Sequence, residues 1–198
     1  EDVDTPALLL DLDNFEFNIQ LMADLVKKFK INHRPHAKTH KSPVVAQKQI
    51  AAGAVGQCCQ KVAEAEILVA GGVNDILVSN QIVGRRKLDR LAGLARNAKI
   101  RVCVDDNDNI NQINAAARRF NSSIEVLVEI DIGAGRCGVI PGKTAVDLAQ
   151  SITKSSNLTF GGLQAYQGRA QHIRGFGERK LAIEKAGNLV QKTINLLS

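Results

Sequence analysis

The stretch 75-DILVSNQIVGRRKLDRLAGLARNAKIRVCVDDNDNINQINAAARRFNSSIEVLVEID-131 contains three short β-branched runs separated by two longer amphipathic ones. Asp75 to Ser79, Ile100 to Val104 and Ile124 to Asp131 are short, apolar and rich in Ile and Val, as strands are. Lys87 to Arg96 and Asn109 to Arg119 have the length and period of helices. A strict β-α-β-α-β order implies a parallel sheet covered by helices, either an open doubly wound sheet or a (β/α)₈ barrel.

The same alternation continues outward in both directions. Upstream, strands are expected at Ala7 to Leu12, His33 to Ala37 and Gly56 to Cys59, with helices at Asn14 to Phe29, Pro43 to Ala52 and Val62 to Ala70. Downstream follow a helix at Thr144 to Thr153, a strand at Leu158 to Tyr166 and a helix at Glu178 to Leu197. Asp13 and Ser42 stand where N-caps belong, Pro43 suits a first helical turn, and Gly53 and Gly71-Gly72 follow helix ends. No linker divides the chain, so residues 1–198 are expected to form one domain. Seven strands do not close an eight-stranded barrel, so one strand is uncounted or the barrel is incomplete in this segment.

Composition narrows the functional classes. With 44% hydrophobic residues in 198, the chain can bury a core. No run approaches the roughly 20 apolar residues that cross a bilayer. The opening EDVDTPALLL lacks the basic region and cleavage site of a secretory signal, so a cytoplasmic protein is expected, and the absent initiator Met suggests residues upstream. Cys58, Cys59, Cys103 and Cys137 have neither disulfide-framework nor metal spacing and are read as reduced thiols, buried on strands. A net charge of +6 is spread along the helices, and one Tyr with no Trp leaves little for base stacking, so no nucleic-acid partner is expected.

His33, His36 and His40, three of the four histidines, fall in 33-HRPHAKTHK-41. As a strand and its exit, this segment would place Arg34, His36, Lys38 and His40 on one face. At the inner mouth of a barrel, clustered cations favour the free amine of Lys38, which can then condense with an aldehyde. On a surface strand the same residues would only be a solvated basic face.

The blocks TPALLLDLDNFEFNI, RPHAKTHKS, CCQKVAEAE, VEIDIGAGRCGV and GLQAYQG occur in this order along the whole chain. Together they resemble the D-threonine aldolase and D-serine dehydratase group of alanine-racemase-like enzymes, which use pyridoxal 5'-phosphate. Within that group they resemble most the D-3-hydroxyaspartate aldolases. The resemblance implies that Lys38 carries the cofactor covalently, that Arg136 contacts its phenolic oxygen, and that Tyr166 lies beside the pyridine ring. Gln60 leaves a strand at the mouth side, where it could hydrogen-bond the cofactor, His36 and His40 could shape or charge the pocket, and His172 lies in a Gly-containing loop after Tyr166.

The implied activity is cleavage of a β-hydroxy D-amino acid, D-3-hydroxyaspartate or D-threonine, to glycine and an aldehyde. A divalent metal (Mn, Mg or Zn) is expected to assist, held by a histidine and an acidic or cysteine partner beyond Ser198, as is a phosphate-binding stretch. The resemblance also implies a β-rich second domain and a homodimer. Asp105, Asp106 and Asp108 read as helix-capping residues, not a metal cluster, and Glu129 and Asp131 define no acid-base pair. Three alternatives stay open. A dehydratase of the same group would expel the hydroxyl as water, a non-catalytic pyridoxal-phosphate homeostasis protein would only carry the cofactor, and a barrel enzyme for phosphorylated substrates would use Lys38 as a plain basic contact.

Overall fold

The computed structural model describes residues 3–197. Five strands, β1 (Gln57–Cys59), β2 (Asp75–Gln81), β3 (Lys99–Val104), β4 (Ile124–Glu129) and β5 (Leu158–Gln164), form one parallel sheet. Its spatial order, β1-β2-β3-β4-β5, is the order along the chain. A doubly wound sheet reverses direction at a switch point. This sheet never does, so it winds one way, as a barrel wall does.

Among the described residues seven α-helices accompany the strands: α1 (Leu12–Phe29), α2 (Pro43–Ala51), α3 (Val62–Ala70), α4 (Arg85–Leu94), α5 (Asn107–Arg119), α6 (Lys143–Thr153) and α7 (Phe176–Leu197), with a short 3-10 helix at Gly168–His172. Side-chain caps start three of them. Ser42 accepts the Val45 N–H at 3.4 Å with Pro43 in the first turn, and Asp106 accepts the Asn109 N–H at 2.9 Å. At α1 the cap is Asp11, which accepts the Asn14 N–H at 3.0 Å, so the expected cap at Asp13 lies inside the first turn instead.

Even-numbered residues of the inner strands, among them Ile76, Val78, Ile100, Val102, Ile124, Val126 and Val128, point toward the helices. There they meet Leu68, Leu88, Leu91, Ile110, Ile113, Leu148 and Ile152 in one continuous apolar core. Cys58, Cys59 and Cys103 are buried free thiols on strands, as expected, whereas Cys137 is half-exposed in a loop.

Two expected strands differ. Residues 7–11 pair with no strand among the described residues, and Leu8, Leu9 and Leu10 are 102%, 84% and 59% exposed. A parallel strand exists only through a neighbour's ladder, and here none is beside it. The helix therefore takes over at Leu12, and none of its side chains is buried. The His33 to Ala37 segment is extended but reduced to a single parallel bridge, His36 to Cys58. It is tied to β1 by the Ala37 N–H on the Cys58 carbonyl (2.7 Å) and the Cys58 N–H on the Pro35 carbonyl (2.8 Å).

Candidate active site

The alternate residues, odd-numbered on β2, β3 and β4 but even-numbered at Cys58 on β1 and at Arg34 before it, face the other side of the sheet and form three layers along the strand direction. Lowest is an ionic layer: Arg34 pairs with Asp75 at 2.7 Å, Arg101 bridges Asp75 and Glu125, with its Nε 2.5 Å from Glu125, and Lys99 reaches Glu125 at 3.3 Å. Above it sits a small apolar layer of Cys58, Leu77 and Cys103, with Leu127 against it. At the C-terminal ends of the strands the layer is polar and carries Ser79, Gln81 and Glu129. In barrels of this type that end is where chemistry is done.

A cavity of about 320 Å³ opens at this end and is lined by Arg34, His36, Lys38, Cys58, Leu77, Ser79, Arg136, Gln164 and Tyr166. The structure therefore brings Lys38, His36, Arg136 and Tyr166 together from three separate parts of the sequence. Tyr166 lies two residues past β5, which ends at Gln164, not at the tyrosine as expected. Arg136 places its guanidinium 5.2 Å from the centre of the Tyr166 ring, within cation-π reach.

The loop that carries Arg136 is built by carboxylates. Asp131 accepts the N–H groups of Gly133 (2.9 Å) and Gly135 (3.0 Å), and these bonds hold its carboxyl below the usual range. Asp105 accepts the Gly138 N–H at 2.9 Å. Gly138 has φ +101°, and a Cβ there would stand 2.8 Å from the Asp131 nitrogen, so only glycine closes this loop. Glu129 is buried beneath, accepting from Gln81 at 2.7 Å; burial raises its pKa, against the Gln81 bond and the charge of Arg136. Neither Glu129 nor Asp131 lines the cavity, and among the described residues no group of three His, Cys, Asp or Glu side chains could hold a metal ion.

The expected common face of Arg34, His36, Lys38 and His40 holds for the first three only. After Ala37 the chain turns: the His40 and Lys41 N–H groups both donate to the Ala37 carbonyl, at 3.2 and 2.7 Å, and Lys41 is left-handed with φ +52°. His40 thus swings out of the cavity and accepts the Ser42 N–H at Nδ1, 3.0 Å, beside the α2 cap. Gln60 also stands apart. It is exposed at the mouth, its N–H donating to Glu64 at 2.8 Å and its carbonyl accepting from Asn80 at 3.1 Å. His172 joins Arg136 and Tyr166 around a second, shallower hollow with Arg169. Ser79, Cys58, Leu77 and Gln164 line the main cavity without having been singled out from sequence. Period two along β2, counted from Asp75, marks Leu77 and Ser79 as inward-facing.

The His36 imidazole is held below its ordinary pKa, by burial first and then by the charge of Lys38, with Glu64 acting the other way. Burial likewise pushes the Cys58 thiol up, which keeps it a neutral wall residue.

Comparison with known proteins places the chain in a family. The chain is 44% identical over 198 residues to a 3-hydroxy-D-aspartate aldolase of Paracoccus denitrificans (strain Pd 1222), covering 99% of the chain and 51% of that protein. It is 45% identical over 195 residues to a D-threonine aldolase of Arthrobacter sp., covering 98% and 52%. The crystal structure of D-threonine aldolase from Filomicrobium marinum superposes with a TM-score of 0.97 at 50% identity, covering 99% of this chain and 53% of that one. The chain thus spans about half the length of the relatives it matches. The family description "Alanine racemase, N-terminal domain" matches residues 10–193, and with the one-way parallel sheet and the lysine at its C-terminal mouth, the chain belongs to the alanine racemase N-terminal domain family.

Proposed function

We propose that residues 1–198 are the cofactor-binding barrel part of a pyridoxal-phosphate-dependent aldolase that cleaves a β-hydroxy D-amino acid, D-3-hydroxyaspartate or D-threonine, to glycine and an aldehyde. The carrying observation is the meeting of Lys38, Arg136 and Tyr166 in one cavity at the C-terminal ends of the strands. Their chemistry fits the ring end of the cofactor: an amine for its aldehyde, a permanent cation for its phenolic oxygen and an aromatic wall.

When bound, the cofactor supplies a conjugated ring that accepts the electron pair released as Cα–Cβ breaks. Lys38, which lines the cavity, would hold the cofactor through its aldehyde carbon. Arg136, fixed by its glycine loop and by Tyr166, would hold negative charge on the cofactor's phenolic oxygen. His36 and Ser79 fill the wall beside Lys38. Among the described residues no group of three His, Cys, Asp or Glu side chains could hold the divalent metal that the resemblance implies. The resemblance further supports a homodimer acting on a small-molecule substrate. Among the described residues no helix is long and apolar enough to cross a membrane.

The test uses the full-length protein that carries this chain. Borohydride reduction is expected to leave a pyridoxyl adduct on Lys38, mapped by mass spectrometry, and Lys38→Ala to abolish both adduct and activity. With D-threonine, acetaldehyde and glycine are expected; a keto acid and ammonia would make it a dehydratase. An adduct without turnover would make it a carrier. Activity retained in Lys38→Ala would remove the lysine from the chemistry altogether.

A further inference from the structure

Lys38 lies in the turn that starts at Ala37, and the turn is tied to the sheet through side chains the proposed chemistry has not used. The Lys38 backbone N–H donates to His36 Nδ1 at 3.2 Å. A ring nitrogen can accept only when it carries no proton, so in the neutral imidazole the proton is on Nε2. Nε2 lies 3.3 Å from Ser79 Oγ, and Ser79 Oγ lies 3.2 Å from the Cys59 carbonyl. A carbonyl only accepts, so the Ser79 hydroxyl donates to Cys59 and presents a lone pair to His36.

The direction of every bond in the relay is then determined. Ser79 donates to Cys59 at the end of β1, His36 Nε2–H donates to Ser79 on β2, and the Lys38 N–H donates to His36 Nδ1. Burial, followed by the charge of Lys38, disfavours the imidazolium that would break the last bond. His40 forms the same two-residue bond with Ser42, outside the cavity, so that bond alone only makes a turn. What sets His36 apart is a hydroxyl at its other nitrogen, itself anchored to the neighbouring strand, on the wall of the cavity that holds Lys38.

We infer that Ser79 and His36 are positioning residues for Lys38: the hydroxyl holds His36 in its Nε2–H form, and Nδ1 holds the Lys38 backbone so that the amine stays directed into the cavity. This rests on the reading that Lys38 carries the cofactor, and it adds what keeps the lysine in place.

The experiment follows three readouts in the full-length protein: the His36 tautomer by ¹⁵N NMR, amide hydrogen exchange at Lys38, and the rate of pyridoxyl capture at Lys38 after mixing with pyridoxal phosphate and quenching with borohydride. Ser79→Ala removes the acceptor for Nε2–H, whereas Ser79→Thr keeps a hydroxyl. His36→Asn keeps an acceptor near the place of Nδ1, whereas His36→Gln moves it away. Ser79→Ala and His36→Gln are expected to speed Lys38 amide exchange and slow capture by about tenfold, as for the loss of one hydrogen bond. His36→Asn and Ser79→Thr are expected to stay near the wild type, and Ser79→Ala to shift His36 away from the Nε2–H form. The proposal is overturned if His36→Asn is as impaired as His36→Gln, which would mark a packing role, or if Ser79→Ala changes neither tautomer nor exchange. Absence of any Lys38 adduct in the wild type would remove the cofactor reading alone, because tautomer and exchange still decide the relay.

Discussion

The two faces of the sheet are made from alternate residues of the same strands, yet they are built differently. On the helix-covered face, Ile76, Val102, Ile124 and Val126 join a continuous apolar core with α3 to α6. On the other face Cys58, Leu77, Cys103 and Leu127 make a small apolar layer, sandwiched between an ion-pair network below and the polar cavity above. Helix packing supplies hydrophobic stabilisation to one face. The inward face holds Asp75, Arg101, Glu125, Ser79 and Glu129, residues that a sheet covered by helices on both sides would exclude. The difference teaches where this protein keeps its stability and where it keeps its chemistry.

The sharpest contrast is expected from paired truncations. Ile113→Ala, in the closed core, should cost about 3 kcal/mol, because both transfer energy and a new void are involved. Leu77→Ala, whose side chain is buried but borders an open cavity, should cost about 2 kcal/mol, close to the transfer term alone. Equal shifts in the thermal unfolding midpoint would break the comparison.

Next comes the ionic layer. Arg101, only 14% exposed at its side chain, stands between Asp75 and Glu125, so Arg101→Ala should leave two carboxylates facing each other and cost about 2 kcal/mol. Lys143→Ala, which removes an exposed pair with Asp147, should change stability by less than about 0.5 kcal/mol by the same measurement.

The smallest effect is the pH response of the histidines around the cavity's entry segment. His33, His36 and His40 are all held below their ordinary pKa, in each case chiefly by burial. The unfolded chain therefore binds more protons than the folded one near 6.5, the ordinary value. Their contribution is complete above that value and is lost as the pH falls below it. Thermal midpoints measured between about pH 5 and 8 should fall more steeply on the acid side in the wild type than in a variant with all three histidines changed to Asn.

Much of the site was legible along the chain. The motif blocks single out Lys38, Arg136 and Tyr166, and period two puts Arg34, His36 and Lys38 on one side of an extended segment. His40 breaks that reading because a left-handed Lys41 turns the chain before the period can continue. Ser79 was not legible as a partner of His36, since the two are 43 positions apart and a serine in a β-branched run carries no signal of its own. Gln60 sits in a recognisable block yet is exposed beside the cavity, because after β1 its backbone is taken up by Glu64 and Asn80.

Local period and local hydrogen bonding are enough to specify the alternation of strand and helix from Gln57 onward, the caps at Ser42 and Asp106, and the lysine at the end of an extended segment. Only the tertiary structure decided the one-way strand order, the layering of the inward face and the relay from Cys59 to Lys38. It also decided that residues 7–11 stay unpaired, although their Leu-rich run reads locally as a strand. A strand's identity depends on the ladder beside it, and a side chain's role on what faces it across the fold.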